Sequence, residues 1–137
     1  MIFLPAAAMV FLVALITFRM FFERKRQMLA SGMHMRDIPS SSQMASRFAD
    51  TRAADNYKNL FEAPVLFYVA LVAAFATAQV SPLIMGLAWA YVVLRYLHSY
   101  IHCTYNRIRH RLYVFLASNI VIWAMWIVLV TGMLRTA

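Results

Sequence analysis

Two groups of polar and charged residues interrupt the apolar stretches of this chain, and their types and spacing could support ligand chemistry. The first lies in the run 55–64, DNYKNLFEAP, which leads into an apolar stretch that ends near Ala78. Polar side chains at membrane depth are costly and usually face a bundle interior or a water-filled site. Arg52 lies three residues before this run. Helical spacing counted from it places five residues on one face, namely Arg52, Asp55, Asn56, Asn59 and Glu62.

The second group lies between residues 95 and 109. Steps of three or four residues connect most of its members, which are Arg95, His98, Ser99, His102, Tyr105 and Arg109. Tyr96, Tyr100 and Arg107 lie beside them, and Tyr96 and Arg107 share a helix face because eleven residues make about three full turns. Two tyrosine hydroxyls and a guanidinium therefore follow one stripe of the predicted helix.

Two interpretations of these groups remain open. A buried cation needs a partner, and Glu62 is the only carboxylate predicted at the depth of Arg95, so an ion pair could join the two helices. Alternatively, the polar residues of both helices form a pocket for a polar, anionic molecule, which their number favours. His98 and His102 share a face, but no third ligand lies near them and cations surround them, so we predict no metal site.

The composition indicates an integral membrane protein. The 137 residues are 64% hydrophobic and 13% charged, and the apolar residues occur in long blocks. The formal net charge is +8, but the basic residues flank the apolar blocks as topology signals do, so we expect no nucleic-acid partner. A single cysteine, Cys103, excludes an internal disulfide framework.

We predict an all-α fold, a four-helix membrane bundle formed by one domain over residues 1–137. The predicted spans are about 2–22, 55–78, 82–105 and 112–134, each long enough to cross a hydrocarbon core of roughly 30 Å. Basic residues follow the first of them, as in a retained span and unlike a cleaved signal. The segment 30–46 is the one long predicted loop, either a lid over the site or a connector.

The placement of lysine and arginine predicts the orientation of the spans. Seven basic residues of segment 24–58 and three of the loop 106–111 fall on one side of a four-span chain, whereas only Arg135 falls on the other. Cytoplasmic loops carry the excess of Lys and Arg. We therefore expect a multi-pass protein, in a bacterial inner membrane, with both termini outside the cytoplasm.

These residues resemble the MAPEG family, the membrane-associated proteins in eicosanoid and glutathione metabolism, in its bacterial branch. The resemblance is carried by the Asn-x-x-Glu step that enters the second span before Pro64, and by the Arg-Tyr-x-x-x-Tyr run that leads to an arginine after the third. It is strongest over 52–134, while the first span matches only in kind. It implies a homotrimer of four-helix subunits that binds glutathione as co-substrate between neighbouring subunits, near the cytoplasmic side.

The resemblance also implies residue roles. Glutathione would be bound by Arg52, Asn56, Asn59, Glu62, Arg95, Tyr96 and Tyr100, and Arg107 would be catalytic by stabilising the glutathione thiolate. Two registers of the second helix stay open. In one, Arg52 and Asn56 match and Asn59 replaces a glutamate; in the other, Asn59 and Glu62 match and Asp55 replaces an arginine. Arg109 and Arg111 compete with Arg107 for the catalytic role.

The implied activity is that of a membrane-embedded, glutathione-dependent transferase or peroxidase acting on lipophilic electrophiles that enter from the bilayer. Its expected partners are a second and third copy of the chain, membrane lipids and a lipophilic small molecule. The alternative is a non-catalytic member of the family that binds a lipid or a partner protein. A small proton-coupled transporter that uses Glu62, Arg95 and His98 is a third hypothesis, which the sequence favours less.

Overall fold

The computed structural model describes residues 1–32 and 48–136. The described chain is all-helical, as predicted. Most of the predicted loop 30–46 lies outside the described residues. The helices are α1 (Leu4–Ser31), α2 (Arg52–Glu62), α3 (Pro64–Ala76), α4 (Pro82–Cys103) and α5 (Ile108–Thr136).

The helices α2 and α3 form one helix that is bent at a proline. Only Ala63 separates them, and its backbone is itself helical, with φ −61° and ψ −38°. Pro64 has no N–H to donate to the carbonyl four residues before it, and its ring displaces that carbonyl. The bend at Pro64 is therefore a proline kink, and the chain forms the four-helix arrangement that the sequence predicts.

The helix ends differ from the predicted spans for identifiable reasons. The helix α1 continues nine residues past the predicted end at Phe22, because the charged segment that follows is rich in good helix formers. It ends at Gly32, whose φ of 64° is the left-handed conformation common at helix C-termini. The helix α4 begins at Pro82 as expected, and the Ser81 hydroxyl accepts a hydrogen bond from the Ile84 N–H at 3.2 Å.

Three helical segments of the described chain are long and apolar enough to cross a membrane: Leu4–Ser31, Arg52–Ala76 and Ile108–Arg135. The protein is therefore an integral membrane protein. The helix α4 has 22 residues, about 33 Å, which is sufficient length. One charged and several polar side chains of α4 point into the bundle and lower its mean hydropathy. This helix is therefore long enough to cross a membrane but less apolar than the other three.

Hydrogen bonds place four helix ends together. Arg19 of α1 donates to the carbonyl of Cys103, and Arg52 donates to the carbonyl of Thr104. The side chain of Gln27 donates to the Asp50 carbonyl at 2.9 Å and accepts from the Asp50 N–H at 3.1 Å. The end of α1, the beginning of α2, the end of α4 and the beginning of α5 therefore lie at one end of the bundle, here called the basic end.

An apolar core fills the rest of the bundle. The rings of Phe67 and Tyr91 stack at its centre, with centroids 4.6 Å apart and planes 19° apart. Buried aliphatic side chains from α1 and α5 surround this pair, among them Met9, Met125 and Leu129. Large apolar side chains also cover the outer surface, as suits a chain surrounded by lipid, and these include Phe11, Phe18, Val93, Ile120 and Trp123.

We expect Leu71→Ala to destabilise the fold by about 2 to 5 kcal/mol, because it leaves a cavity in the core. Leu71 is 1% exposed, whereas Leu66 on the same helix is 42% exposed. Leu66→Ala is therefore the matched control, with a much smaller cost. Thermal unfolding in detergent measures both, and equal losses of stability would contradict this packing.

Candidate functional site

A buried polar interior lies between α2 and α4, next to the basic end. Five polar side chains of these helices are almost completely shielded from solvent: Asn56, Arg95, His98, Ser99 and His102. Four of them are on α4 at steps that begin from Arg95, as predicted for the second polar group. We call these five residues the polar interior. Because buried polar groups need partners, either a hydrogen-bond network within the bundle or a bound polar ligand must satisfy them.

Asn56 joins α2 to α4. Its side-chain oxygen accepts a hydrogen bond from the Ser99 hydroxyl at 3.3 Å, and its side-chain nitrogen lies 3.5 Å from the Cys103 sulfur, to which it donates. The side chain is fully buried within the single chain. The amide therefore serves helix packing, and within one subunit it has no face open to a ligand.

Arg95 is a buried cation with few partners. The side chain is 0% exposed, and its Nη2 donates to the main-chain carbonyl of Asn59 at 2.9 Å. Its Nε and Nη1 atoms have no hydrogen-bond partner within residues 1–32 and 48–136. The predicted alternative of an Arg95–Glu62 ion pair is not formed, because no salt bridge joins the two side chains. Glu62 attracts the Arg95 cation only from a longer distance.

The geometry of α2 explains why Glu62 is not the partner of Arg95. Leu60 points into the core and is 1% exposed. Glu62 follows two residues later, about 200° around the helix axis, and is exposed. Asp55 is exposed as well. The single polar face predicted for this helix is therefore divided, with Asn56 inward, Asn59 half-buried, and Asp55 and Glu62 outward.

Besides Arg95, the resemblance selected three residues on α4 and its following turn, Tyr96, Tyr100 and Arg107, and these differ in their surroundings. The Tyr96 hydroxyl donates to the main-chain carbonyl of Ala8 on α1 at 2.7 Å. Tyr100 is 62% exposed, and Arg107 is exposed in the turn before α5. The structure therefore holds Tyr96 against α1 and leaves Tyr100 and Arg107 exposed.

Two histidines of α4 with the spacing of Tyr96 and Tyr100 face inward. His98 and His102 are four residues apart, and both imidazoles are buried with ring centroids 5.7 Å apart. Arg109, which follows His102 at the spacing of Arg107 from Tyr100, lies on α5 and is exposed. Tyr91, four residues before Arg95, is also buried, and its hydroxyl has no partner in the described part of the chain. The sequence pattern groups His98, His102 and Arg109 with Arg95, and one further step of four residues towards the N-terminus adds Tyr91, which our prediction missed.

Arg52 connects the helix ends. Its guanidinium donates to both carboxylate oxygens of Asp50, at 2.9 and 2.6 Å, and also to the carbonyl of Thr104. The main-chain N–H of Arg52 donates to the same carboxylate at 3.0 Å. These bonds from Arg52 lower the pKa of Asp50 from 3.8 to about 2. Arg52 therefore fastens the beginning of α2 to the end of α4.

A groove opens between α2 and α5, with the polar interior behind it. It has a volume of about 230 Å³ and is lined by Asn59, His98, Ile108, Arg111, Leu112 and Phe115. Arg111 is half-buried, and its Nη1 donates to the side-chain oxygen of Asn106 at 3.0 Å. We refer to this feature as the α2–α5 groove.

His, Cys, Asp and Glu side chains in the described ranges form no group of three or more that could hold a metal ion. His98 and His102 are thus a pair without a third protein ligand. Their contacts are with each other and with the ring of Phe115.

A protein-family model described as the MAPEG family matches residues 2–131. The chain belongs to the MAPEG family. The match includes α1, so it is wider than the 52–134 region in which the sequence resemblance is strongest. Neither a curated protein nor a solved structure matches the chain. Membership of the MAPEG family is consistent with the membrane-spanning helices and indicates a role related to glutathione.

We expect the Asp50→Asn variant of this MAPEG-family protein to be less stable than the wild type at neutral pH, and the difference to vanish in acid. Because the folded-state pKa is depressed, the stabilisation by Asp50 is complete above about pH 4 and is lost as the pH falls towards 2. Thermal midpoints in detergent at pH 7, 4 and 2 measure this. The effect is small since the pair is partly exposed, and a pH-independent difference would contradict it.

Asn56→Ala should destabilise the fold by about 1–3 kcal/mol, because the Ser99 hydroxyl loses its acceptor in a buried setting. Asn119→Ala is the matched control. Asn119 is half-buried on α5 and donates only to the Phe115 carbonyl of its own helix. Denaturant unfolding in detergent compares the two variants, and a neutral Asn56→Ala would show that the amide does not hold α2 to α4.

Proposed function

We propose that this MAPEG-family protein is a membrane-embedded, glutathione-dependent transferase that acts on lipophilic electrophiles. The family match and the polar groups at membrane depth support this activity. We further propose a homotrimer in which glutathione binds between neighbouring subunits. The support for that arrangement comes from polar residues that one subunit leaves exposed.

Exposure of Glu62 is the observation that carries the proposal. Asn56 lies level with Cys103, the last residue of α4. From residue 56 to residue 62 the helix rises about 9 Å further into the bundle. A carboxylate exposed at that depth is expensive in lipid and faces a protein interior or a water-filled cavity. Because it forms no salt bridge in the described chain, a neighbouring subunit and a bound polar molecule would cover it.

The exposed members of the predicted set are the residues that can contribute to such a site. Glu62, Tyr100 and Arg107 all face outward. By contrast, Arg52, Asn56, Arg95 and Tyr96 bond to groups of their own subunit. We assign the first set to glutathione binding and the second to the subunit fold that positions it.

Arg107 is the proposed catalytic residue. Bound glutathione would supply a thiol whose ionised form attacks an electrophilic carbon. The exposed guanidinium of Arg107 can stabilise the thiolate by charge, and so lower the thiol pKa. Arg109, also exposed, remains the competing candidate, since it follows after only two residues. The apolar outer surface of the helices would deliver lipophilic electrophiles laterally from the bilayer.

The proposed orientation places the basic end in the cytoplasm and both chain termini outside it. The hydrogen bonds of Arg19 and Arg52 to the end of α4 bring the basic segments of the chain to one end of the bundle. That is the end at which the positive-inside rule expects them.

The proposed activity is tested with the purified protein in liposomes, by calorimetry with glutathione and by conjugation of a generic aryl halide. We expect binding and turnover by the wild type, and a loss of about 10²- to 10³-fold in kcat for Arg107→Ala. Arg135→Ala at the opposite end should retain full activity. Glutathione binding without turnover of any electrophile would favour the non-catalytic alternative, and no binding at all would refute the proposal.

A further inference from the structure

The α2–α5 groove has a positive and unneutralised lining. Its polar lining residues are Asn59, His98 and Arg111, and it contains no carboxylate. Arg111 donates to a neutral amide, not to an acid. Arg95 lies one turn from His98 on the same helix, and it forms no salt bridge in the described chain. The groove therefore adjoins two guanidinium groups that no carboxylate of the described residues contacts directly, and Glu62 attracts Arg95 only from a longer distance.

Buried polar atoms without a partner lie in the groove lining or next to it. His98 is 2% exposed, lines the groove, and its Nδ1 has no hydrogen-bond partner in the described ranges. Two nitrogens of the buried Arg95 are likewise without partners. Burying a cation without a counter-charge costs several kcal/mol. A nearby anion lowers that cost, so the electrostatics of the groove favour an anionic occupant.

The walls of the groove determine what kind of anion fits. Ile108, Leu112 and Phe115 are apolar, and the first two are exposed on the surface of α5. Exposed apolar side chains continue along this helix at Leu116 and Ile120. A small hydrophilic anion would leave these walls uncovered, whereas an amphiphile would cover them. Two hydrocarbon chains could lie along the outer face of α5 while the head occupies the groove.

The size and position of the groove agree with a lipid headgroup. A volume of about 230 Å³ is below the roughly 300–1,000 Å³ of pockets that enclose a whole small molecule. Arg111 lies in the first turn of α5, at the basic end of the bundle, which is the level of the headgroups. Basic pockets between membrane helices on the cytoplasmic side are sites for anionic headgroups.

We propose that the α2–α5 groove binds one anionic phospholipid per subunit. The guanidinium of Arg111 binds the phosphate, His98 and Asn59 offer hydrogen bonds to the polar headgroup, and the acyl chains cover Leu112 and Phe115. This site is distinct from the glutathione site, to which the outward-facing Glu62, Tyr100 and Arg107 are assigned. The bound lipid would offset the buried charge of Arg95.

Native mass spectrometry of the protein in non-ionic detergent tests the proposal, with dioleoyl phosphatidylglycerol and dioleoyl phosphatidylcholine as probes. We expect the wild type to retain the anionic lipid in preference to the neutral one. Arg111→Gln should weaken that preference about fivefold. Arg109→Gln removes the same charge from an exposed position of the same helix, outside the groove lining, and should leave the preference unchanged.

A second pair of variants tests the groove without removing a charge. Leu112→Trp narrows the groove and should release the lipid, whereas Leu116→Trp lies outside the lining and should not. Neither glutathione nor inorganic phosphate should displace the lipid. Equal retention of the two lipids, equal losses in the two arginine variants, or displacement by either small anion would overturn the proposal.

Discussion

The hydrogen bond from Arg95 to the main-chain carbonyl of Asn59 is the interaction on which the arrangement of polar groups depends. It lies just before the kink at Pro64, where a proline without an N–H disturbs the carbonyl ladder of the preceding turn. In a bilayer no water replaces lost main-chain bonds, so other protein groups near such kinks supply them. The arginine holds α2 against α4 at the point where that helix bends.

This contact separates the polar residues into two classes. The face of α2 that carries Asn56 and Asn59 packs against α4. Polar groups on this face form hydrogen bonds with α4, as the bond between Ser99 and Asn56 shows. Residues on the far side, Asp55 and Glu62, are turned away from the subunit. Packing that satisfies the interior therefore necessarily creates an exterior carboxylate at membrane depth. The fold of the chain and the exposure of this carboxylate therefore have the same origin.

The sequence predicted the helices well and the direction of their side chains only in part. Long apolar blocks define helices in a membrane because every main-chain group must be bonded within the segment, so the all-helical fold followed from composition. The end of α1 was wrong by nine residues, since a helix can continue into water on charged residues of high helix propensity. Hydrophobicity indicates where the chain leaves the bilayer, near Phe22, whereas the helix itself continues to its C-cap at Gly32.

The candidate site shows the same limit more clearly. Spacing of three and four residues correctly grouped Arg95, His98, Ser99 and His102, which are all buried. On α2 the same rule placed Glu62 on the face of Asn56. Residues 52 to 62 cover almost three helical turns, and steps of three or four residues each deviate from a full turn, so the predicted face spans a wide arc of the helix surface. The apolar residue between them, Leu60, decides which part of that arc faces inward. Likewise, spacing could not show that Tyr96 bonds to Ala8, because that contact depends on which helix is the neighbour.

The two ends of the bundle differ in charge. The chain carries a formal charge of +8, and many basic residues of the described ranges lie at the basic end, where Arg19 and Arg52 join helix ends through carbonyl groups. Bonds to carbonyls position a guanidinium but do not neutralise it, and of these two arginines Arg52 alone also forms a salt bridge, with Asp50. The basic end therefore keeps a positive potential that its few carboxylates do not cancel, and anions are its natural ligands. An amphiphilic anion suits the groove, where exposed apolar side chains adjoin the charge, and a hydrophilic one suits the exposed polar surface at the same end.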